Sequence, residues 1–384
     1  MYDVIIIGAG VTGTCIAREL SKFQIKLCVM EKGDDVASGT SKANSGVIHA
    51  GFDCKPGTLM AKLNVRGNEL IYKYSKELDF PTKNNGSLVV CTVEAERGKL
   101  DILLDQAHKN GVPKCRIVER EELLEMEPNL TPNAVAALYA ETGGVICPFN
   151  LAIAMGENAA VNGCEFKFET EVEEIEKKDD HFIITTNKGI FETKAVVNAA
   201  GVYADKMHNF VSKNKIKIIA RKGEYLLMDK ELGNYFTKTV FTLPGKMGKG
   251  VLTAPTIHGN LYVGPTANDV EDKEGVNTTQ EIIDELVDAA GIESPGLTSS
   301  PAIAEMLVEI MQKKYHFVEK EHFISTRKGV VHMEDLSLEE KNEMIKENPQ
   351  YGNIICRCEM VTEGEIVDAI NRPIGATSMD GIKR

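Results

Sequence analysis

Apolar residues follow two different spacings at the start of this chain. Residues 3–7 form a short apolar run that ends at a glycine, residues 11–23 have helical spacing, and residues 25–31 form a second apolar run. Short unbroken apolar runs are typical of strands buried in a parallel sheet. A helix between two such strands predicts a βαβ unit, so the chain opens as an α/β fold.

The same patterns predict the remaining elements. Residues 165–190 alternate like a hairpin, and a buried strand over 193–198 ends in small residues. Short β-like runs broken by Gly and Pro between 215 and 265 indicate a second lobe built on a sheet. Helical spacing occurs in segments 59–78, 94–110, 148–162, 280–290, 296–312 and 339–347. We therefore expect an α/β fold in which a Rossmann-type parallel sheet is covered by a mainly antiparallel lobe.

Composition limits the class of function. The net charge of −13 and the pI of about 5.3 argue against a nucleic-acid partner, because binding phosphates requires a basic face. No apolar run approaches the roughly 18 residues that a transmembrane segment needs. The first residues enter a strand without a basic leader. These features predict a cytoplasmic protein, or one peripheral to the membrane, that acts on a small molecule.

Gly8, Gly10 and Gly13 match the pattern G-x-G-x-x-G. The match follows a predicted strand, opens a predicted helix and precedes Glu31 at the end of the second strand, a context that disfavours a turn without a ligand. Gly8 would make the tight turn, Gly10 would let the backbone approach a pyrophosphate, and Gly13 would allow close helix–strand packing. The phosphates would lie at the helix N-terminus, and Glu31 would accept hydrogen bonds from a ribose.

Three separated segments of small residues indicate that the ligand is long. Besides the first glycine turn, residues 39–51, 196–201 and 296–304 combine Gly, Ala, Ser and Thr where a backbone can approach a cofactor closely. A domain that binds only NAD would instead continue its strand–helix alternation after the second strand. The arrangement therefore favours FAD over NAD.

These segments resemble the D-amino-acid-oxidase-like superfamily of FAD oxidoreductases, in particular the branch that holds glycerol-3-phosphate dehydrogenases and L-2-hydroxyglutarate oxidases. The resemblance covers the chain from Tyr2 to about Ala304. It implies FAD as the cofactor. The residues that it places at the FAD are Gly8, Ala9, Gly10, Val11, Thr12, Gly13, Glu31, Lys32, Thr40, Ser41, Asn44, Ser45, Gly46, Val172, Ala200, Gly201, Gly296, Leu297 and Thr298.

The implied reaction passes a hydride to the flavin while a protein base removes the hydroxyl proton of the substrate. His49 lies in the segment that resembles the flavin-facing loop, and imidazole titrates near neutral pH, so His49 is the candidate for the base or for a group that orients the alcohol. The alternatives are a histidine that holds the flavin and one that only packs. Arg221 and Lys222 are candidates for cations beside an anionic substrate, with a solvated strand face as the alternative.

Cys356 and Cys358 stand apart from the other cysteines, which are scattered and which we expect to be buried free thiols. With the residues that follow, this pair resembles the opening of a BFD-like 2Fe–2S module. Such a cluster needs four thiolates, and no further cysteine follows in the sequence, so a cluster is implied only if the module were complete. We expect the pair to lie outside both lobes, on a mobile tail and away from other cysteines.

The resemblance divides the chain into three parts. Residues 1–85, 145–210 and 289–330 would form the FAD-binding lobe, residues 86–144 and 211–288 the substrate lobe, and residues 350–384 a truncated BFD-like module. Relatives carry several tens of residues, including a substrate-binding arginine, between the segments that match 280–288 and 291 onward. Here those segments are joined directly, and this internal deletion near 288–291 puts activity in question.

Three functions remain open at this point. The favoured one is an FAD-dependent dehydrogenase that oxidises a small anionic alcohol. The cysteine module favours glycerol-3-phosphate as the substrate. Residues 44–52 and 56–62 look more like the branch that acts on L-2-hydroxyglutarate, which is the alternative substrate. A non-catalytic remnant of such an enzyme is the second. A subunit that passes electrons to a partner flavoprotein is the third. For an active enzyme, the electron acceptor would be a flavoprotein or a quinone.

Overall fold

A computed structural model describes residues 1–243, 251–278 and 296–383 of the chain. The strands are β1 (Tyr2–Ile7), β2 (Leu27–Met30), β3 (Val47–Ile48), β4 (Thr82–Lys83), β5 (Ser87–Cys91), β6 (Cys115–Glu119), β7 (Ala136–Ala140), β8 (Gly144–Ile146), β9 (Glu165–Lys167), β10 (Val172–Lys177), β11 (Phe182–Thr186), β12 (Gly189–Asn198), β13 (Ala220–Lys222), β14 (Leu226–Leu227), β15 (Thr239–Thr242), β16 (Leu252–Pro255), β17 (Leu261–Gly264), β18 (Asn268–Val270), β19 (Ile354–Cys356) and β20 (Val361–Thr362). The α-helices are α1 (Val11–Leu20), α2 (Leu59–Glu77), α3 (Gly98–Asn110), α4 (Arg120–Met126), α5 (Pro148–Val161), α6 (Ala204–Val211), α7 (Gly296–Tyr315), α8 (Leu338–Glu347), α9 (Glu363–Asn371) and α10 (Met379–Ile382).

The first lobe is a six-stranded sheet in the order β10-β11-β12-β1-β2-β9. Strands β12, β1, β2 and β9 are parallel, and the hairpin β10–β11 extends the sheet in antiparallel fashion. Val4 and Ile6 pack into one hydrophobic core with α1, α5 and α7, while Ile5 and Ile7 pack into another beneath α6. Burial of both faces explains why β1 is an unbroken apolar run.

The second lobe is a seven-stranded sheet in the order β14-β17-β16-β15-β5-β7-β6. Its neighbouring strands are antiparallel except for the parallel pair β15–β5. A small sheet in the order β3-β8-β4 follows the glycine-rich loop 39–46. The predicted combination of a parallel sheet with a mainly antiparallel lobe is confirmed.

Two expectations about single elements change. Residues 165–190 are not one hairpin, because Glu165–Lys167 pairs in parallel with β2, while β10, β11 and β12 follow one another as antiparallel neighbours. Alternation marks a strand with one face more buried than the other, but it does not reveal the direction of the neighbouring strand. The helix expected over 280–290 lies outside the described residues.

The chain after α7 returns across the first lobe. The side-chain amides of Asn158 and Asn162 both donate to the Ile324 carbonyl at 2.9 Å, and Arg327 pairs with Glu157. Further on, Ile374 is 4% exposed and joins the core of the first lobe. The prediction of a mobile tail is therefore wrong for the residues that follow the cysteine pair. The apolar side chain of Ile374 and the buried ion pair of Arg372 with Asp35 dock them on the first lobe.

No helix among the described residues combines the length and the apolar character that crossing a bilayer requires. Among the residues that the structure describes, no metal-binding group of three or more His, Cys, Asp or Glu residues is found.

One ion pair joins the two lobes beside α6. Lys273, in the turn after β18, donates to both carboxylate oxygens of Asp205 at 2.9 and 2.8 Å and to the Val202 carbonyl at 2.7 Å. Asp205 also accepts from the Ile218 amide at 2.9 Å. The bond from Lys273, followed by that from Ile218, lowers the pKa of Asp205 to about 2. The ionised pair therefore stabilises the folded state.

We expect Asp205→Asn to lower the free energy of unfolding at pH 7 by about 1–3 kcal/mol. The folded-state pKa lies below the ordinary value, so the contribution is present above pH 4 and is lost as the pH falls towards 2. Urea unfolding of both proteins between pH 3 and 7 measures the difference. Asp269→Asn, which breaks the exposed pair with Arg221, is the control and should change stability much less, because solvent screens an exposed ion pair. A pH-independent difference would contradict the assignment.

Candidate functional site

The glycine turn after β1 is shaped by close backbone contacts. Gly8 has φ of +103°, and a Cβ there would lie 2.5 Å from the Ala199 carbonyl oxygen. A Cβ on Gly13 would lie 1.9 Å from the Gly8 carbonyl oxygen, which is impossible for any other residue without moving α1. Gly10 differs, since a Cβ there would meet only the Ser41 hydroxyl, at 3.1 Å. Gly8 and Gly13 hold the fold together, whereas Gly10 leaves open space at the turn.

The N-terminus of α1 has the donors that an anion needs. Gly10 is the N-cap and supplies no side-chain acceptor, and the Val11 amide donates to the Ser41 hydroxyl at 2.9 Å. The Thr12 and Ser300 hydroxyls lie 3.4 Å apart, so the first turns of α1 and α7 meet. Amides at a helix N-terminus together with the helix dipole favour a phosphate.

Glu31 lies at the mouth of the glycine turn. Its carboxylate accepts from the Ala9 amide at 2.7 Å and from the Gly33 amide at 2.8 Å. A carboxylate fixed in this way keeps lone pairs for the hydroxyls of a ribose. Lys32 turns away, with its ammonium 3.0 Å from Glu274 and 4.2 Å from the centroid of the Tyr203 ring. The structure therefore gives Lys32 a contact with the second lobe that its sequence position did not indicate.

The loop from Thr40 to Gly46 is held by its own side chains. The Asn44 amide donates to the carbonyls of Thr40 and Ser41 at 3.2 and 3.1 Å, and its oxygen accepts from the Gly46 amide at 2.9 Å. Gly46 has φ of +61°, and a Cβ there would lie 2.3 Å from the Ile146 carbonyl oxygen. The polar residues of this loop thus fix its conformation, which places Ser41 against α1.

His49 is fixed through its backbone. Its amide donates to the Thr298 hydroxyl at 3.0 Å, and its carbonyl accepts from the Asn68 side chain at 3.0 Å. Thr298 also donates to the Val47 carbonyl at 3.2 Å and is fully buried. The imidazole is 5% exposed and lies 5.9 Å from the ring of Phe241 in β15. His49 therefore lies where the two lobes meet.

Two tyrosines of the second lobe approach the same loop, and the sequence patterns did not single them out as site residues. Tyr262 donates its hydroxyl to the Ser45 carbonyl at 2.8 Å, and Tyr225 packs edge-on against it with 5.6 Å between ring centroids. Burial raises the pKa of Tyr225 to about 12 and holds the pKa of Tyr262 well above its ordinary value, while contacts with Ser45 oppose both shifts. Both phenols therefore stay neutral and can act as hydrogen-bond donors or acceptors.

The remaining predicted cofactor residues lie at the ends of three elements. Val172 begins β10 and is 4% exposed, and Ala200 and Gly201 follow β12, where Gly201 has φ of +54°. Gly296 and Leu297 open α7, one turn before Ser300. Ala199, which precedes Ala200, donates its amide to the Ile7 carbonyl at 2.9 Å, so the end of β12 borders the glycine turn.

The two predicted substrate cations are already paired. Arg221 in β13 donates to Asp269 in β18 at 2.7 Å, and its side chain is 41% exposed. Lys222 donates to the Asn277 carbonyl at 2.7 Å and lies 3.6 Å from Glu224. These partners reduce the positive potential that either side chain offers to an anion.

Cys356 and Cys358 lie on the hairpin between β19 and β20, with their sulfur atoms 3.2 Å apart. Cys358 is exposed and Cys356 is half-buried, while the other seven cysteines are buried free thiols, as expected. Among the described residues no third metal ligand accompanies this pair. Two thiolates do not complete a 2Fe–2S site, so the residues present here do not fit the cluster.

A pyrophosphate fits the glycine turn, because Gly10 leaves it space and α1 supplies donors. The second lobe meets the first beside the loop that contacts this turn, where Tyr262 bonds to Ser45 and Phe241 packs near His49. Fold and site together define the class of two-lobed dinucleotide-binding proteins.

Comparison with known proteins identifies the family. A family profile described as FAD dependent oxidoreductase matches residues 3–291, and the chain belongs to this family. A second profile, the BFD-like 2Fe-2S binding domain, matches residues 354–384. FAD is therefore the cofactor.

Individual relatives agree with this assignment. The chain is 45% identical to a glycerol 3-phosphate dehydrogenase of Caloramator mitchellensis, over 100% of this chain and 89% of the relative. It is 29% identical to a mitochondrial L-2-hydroxyglutarate dehydrogenase of Nematostella vectensis, over 75% of this chain and 67% of the relative. The FAD-bound, dithionite-reduced L-alpha-glycerophosphate oxidase of Mycoplasma pneumoniae superimposes with a TM-score of 0.80 at 29% identity, covering 86% of this chain and 99% of the oxidase.

The glycine contacts predict opposite phenotypes for two substitutions. Gly10→Ala should leave the thermal stability of the apoprotein nearly unchanged and raise the Kd for FAD by about tenfold or more, because the new methyl occupies ligand space. Gly13→Ala should cost about 3 kcal/mol of stability, because its methyl overlaps the Gly8 carbonyl. Flavin fluorescence titration and thermal unfolding measure the two effects. Gly98→Ala in α3, where a Cβ would meet nothing within 4 Å, is the control. A Gly10→Ala protein that binds FAD with normal affinity would contradict the placement of the pyrophosphate at this turn.

Proposed function

We propose that this chain oxidises the secondary alcohol of glycerol-3-phosphate to dihydroxyacetone phosphate. The observation that carries the proposal is the 45% identity, over the whole chain, to a glycerol 3-phosphate dehydrogenase. Bound FAD would supply the acceptor of the substrate hydride. The electron acceptor that follows FAD would be a flavoprotein or a quinone, reached by a chain that is cytoplasmic or peripheral to the membrane.

His49 is proposed as the base that takes the hydroxyl proton. Its contacts support this role, because Thr298 and Asn68 hold its backbone from two helices and Phe241 shields the ring on the side of the second lobe. A general base needs a fixed position and a site from which bulk water is largely excluded. Tyr262 and Tyr225, beside Ser45, are proposed to line the same site as neutral polar groups.

The division into lobes is proposed as the sequence suggested it. Residues 1–85, 145–210 and 289–330 would bind FAD, residues 86–144 and 211–288 would cover the substrate, and residues 350–384 would form the cysteine module. Arg221 and Lys222 keep their proposed role near an anionic group. Lys222 is favoured because its ammonium lies 3.6 Å from Glu224, a longer ion pair than the 2.7 Å pair of Arg221 with Asp269.

Two alternatives have specific support. L-2-hydroxyglutarate also carries a secondary alcohol beside an anionic group, and a dehydrogenase for it is among the relatives. A non-catalytic remnant is supported by length, because the alignment to the Caloramator mitchellensis protein spans 428 positions and this chain has 384 residues. The relative thus has residues without a counterpart here, as an internal deletion at 288–291 would produce.

The visible spectrum separates these alternatives. Purified protein with added FAD should show a bound flavin band, and glycerol-3-phosphate should bleach it without oxygen. Bleaching by L-2-hydroxyglutarate alone would transfer the proposal to that substrate. A flavin band that neither compound bleaches, but that dithionite reduces, would identify the remnant and contradict the proposed activity.

His49→Gln should slow anaerobic flavin reduction by about 10²–10⁴-fold while the Kd for FAD stays unchanged. Stopped-flow absorbance and fluorescence titration give the two values. His258→Gln is the matched control, because this second histidine also reaches across the lobe boundary, stacked on Phe149 at 6.4 Å, and has no proposed role. If the flavin of the His49→Gln protein is reduced at the normal rate, His49 is not the base.

A further inference from the structure

The C-terminal segment packs against the loop that follows β2. Arg372, just after α9, lies 3.1 Å from the Asp35 carboxylate, and the Lys42 ammonium lies 3.1 Å from Asp380 in α10. The Thr377 hydroxyl approaches the Asp34 carbonyl at 3.4 Å. Residues 34–42 are therefore contacted at several points by residues 372–380.

The central contact is a buried ion pair. The side chains of Arg372 and Asp35 are 6% and 2% exposed. The Arg372 guanidinium also lies 3.5 Å from Glu157 in α5, which pairs on its other side with Arg327. Burying charges is costly unless each is compensated, so removal of one member leaves the charge of the other less well compensated. The position of this pair is therefore strongly constrained.

An apolar contact sits beside the ion pair. A Cβ on Gly156 would lie 2.9 Å from the Ile374 side chain, 3.4 Å from Thr14 in α1 and 3.4 Å from Val36. Ile374 thus fills the space between α5, the glycine-turn helix and the loop. This contact adds hydrophobic burial to the ion pair, so docking of the C-terminal segment does not depend on charge alone.

The same loop contacts the glycine turn. The Ala37 amide donates to the Ala9 carbonyl at 2.9 Å, and the Ser41 hydroxyl accepts from the Val11 amide at 2.9 Å. Residues 34–42 therefore lie between the C-terminal segment on one side and the phosphate end of the cofactor site on the other. A shift of the loop would move Ser41 relative to α1.

We propose that Arg372 is a positioning residue for FAD. By holding Asp35 it fixes residues 34–42 against the glycine turn, so the affinity for FAD depends on docking of the C-terminal segment. The proposal rests on the FAD site at Gly10. Coupling is reciprocal, so bound FAD must also tighten the docking of residues 372–382.

Three variants of the full chain test the coupling: Arg372→Met, Asp35→Asn and the double variant. Each single variant should raise the Kd for FAD by about tenfold and lower the melting temperature of the apoprotein. The double variant removes both opposite charges together, so its melting temperature should recover in part while its Kd stays raised. Asp380→Asn, which removes the exposed charge that pairs with Lys42, is the control and should bind FAD as the wild type does.

Hydrogen exchange on the unmodified protein gives a measurement that does not require a variant to fold. FAD should slow exchange of the backbone amides in residues 374–382. Unchanged exchange there, or a double variant whose Kd equals that of the wild type, would overturn the coupling. A wild-type chain that binds no FAD would instead overturn the cofactor site on which the proposal rests.

Discussion

The close approach of three backbone segments at the first turn is the constraint on which the rest of the structure depends. The Gly13 position of α1 lies against the Gly8 carbonyl, and the end of β12 at Ala199 lies against Gly8. These contacts, all between groups of the protein itself, bring a helix N-terminus, a tight turn and a second strand end together. Protein groups that are held by one another in this way cost less to order when a ligand binds.

A single buried hydroxyl extends this arrangement towards the second lobe. The hydroxyl of Thr298, near the start of α7, bridges the Val47 carbonyl and the His49 amide. A Cβ on Gly67 in α2 would lie 2.0 Å from the carbonyl oxygen of Thr298. Helices α2 and α7 can approach this closely only because Gly67 has no side chain. The orientation of His49 is thus set by packing between two helices, far along the chain from the loop that carries it.

A feature could be predicted from the sequence when it depends on residues that are close together along the chain. The βαβ unit, the glycine turn and the position of Glu31 depend on local spacing, and the structure has the turn and its helix as predicted. The parallel partner of β9, the tyrosines beside Ser45 and the docking of Ile374 depend on contacts between residues distant in sequence. A pattern within one segment carries no information about which distant segment covers it. Arg372 and Asp35 each look like ordinary surface charges until the fold pairs them.

The two halves of the site therefore differ in completeness. The half proposed to hold the cofactor is built by short-range backbone contacts and by a loop fixed from two sides, all within described residues. The half that would hold an anionic substrate offers cations that carboxylates or carbonyls already engage, at Arg221 and Lys222. An anion competing for Arg221 must displace Asp269 and gains correspondingly less from the interaction. Retention of FAD and turnover of substrate are consequently separable properties of this chain, because different contacts support each.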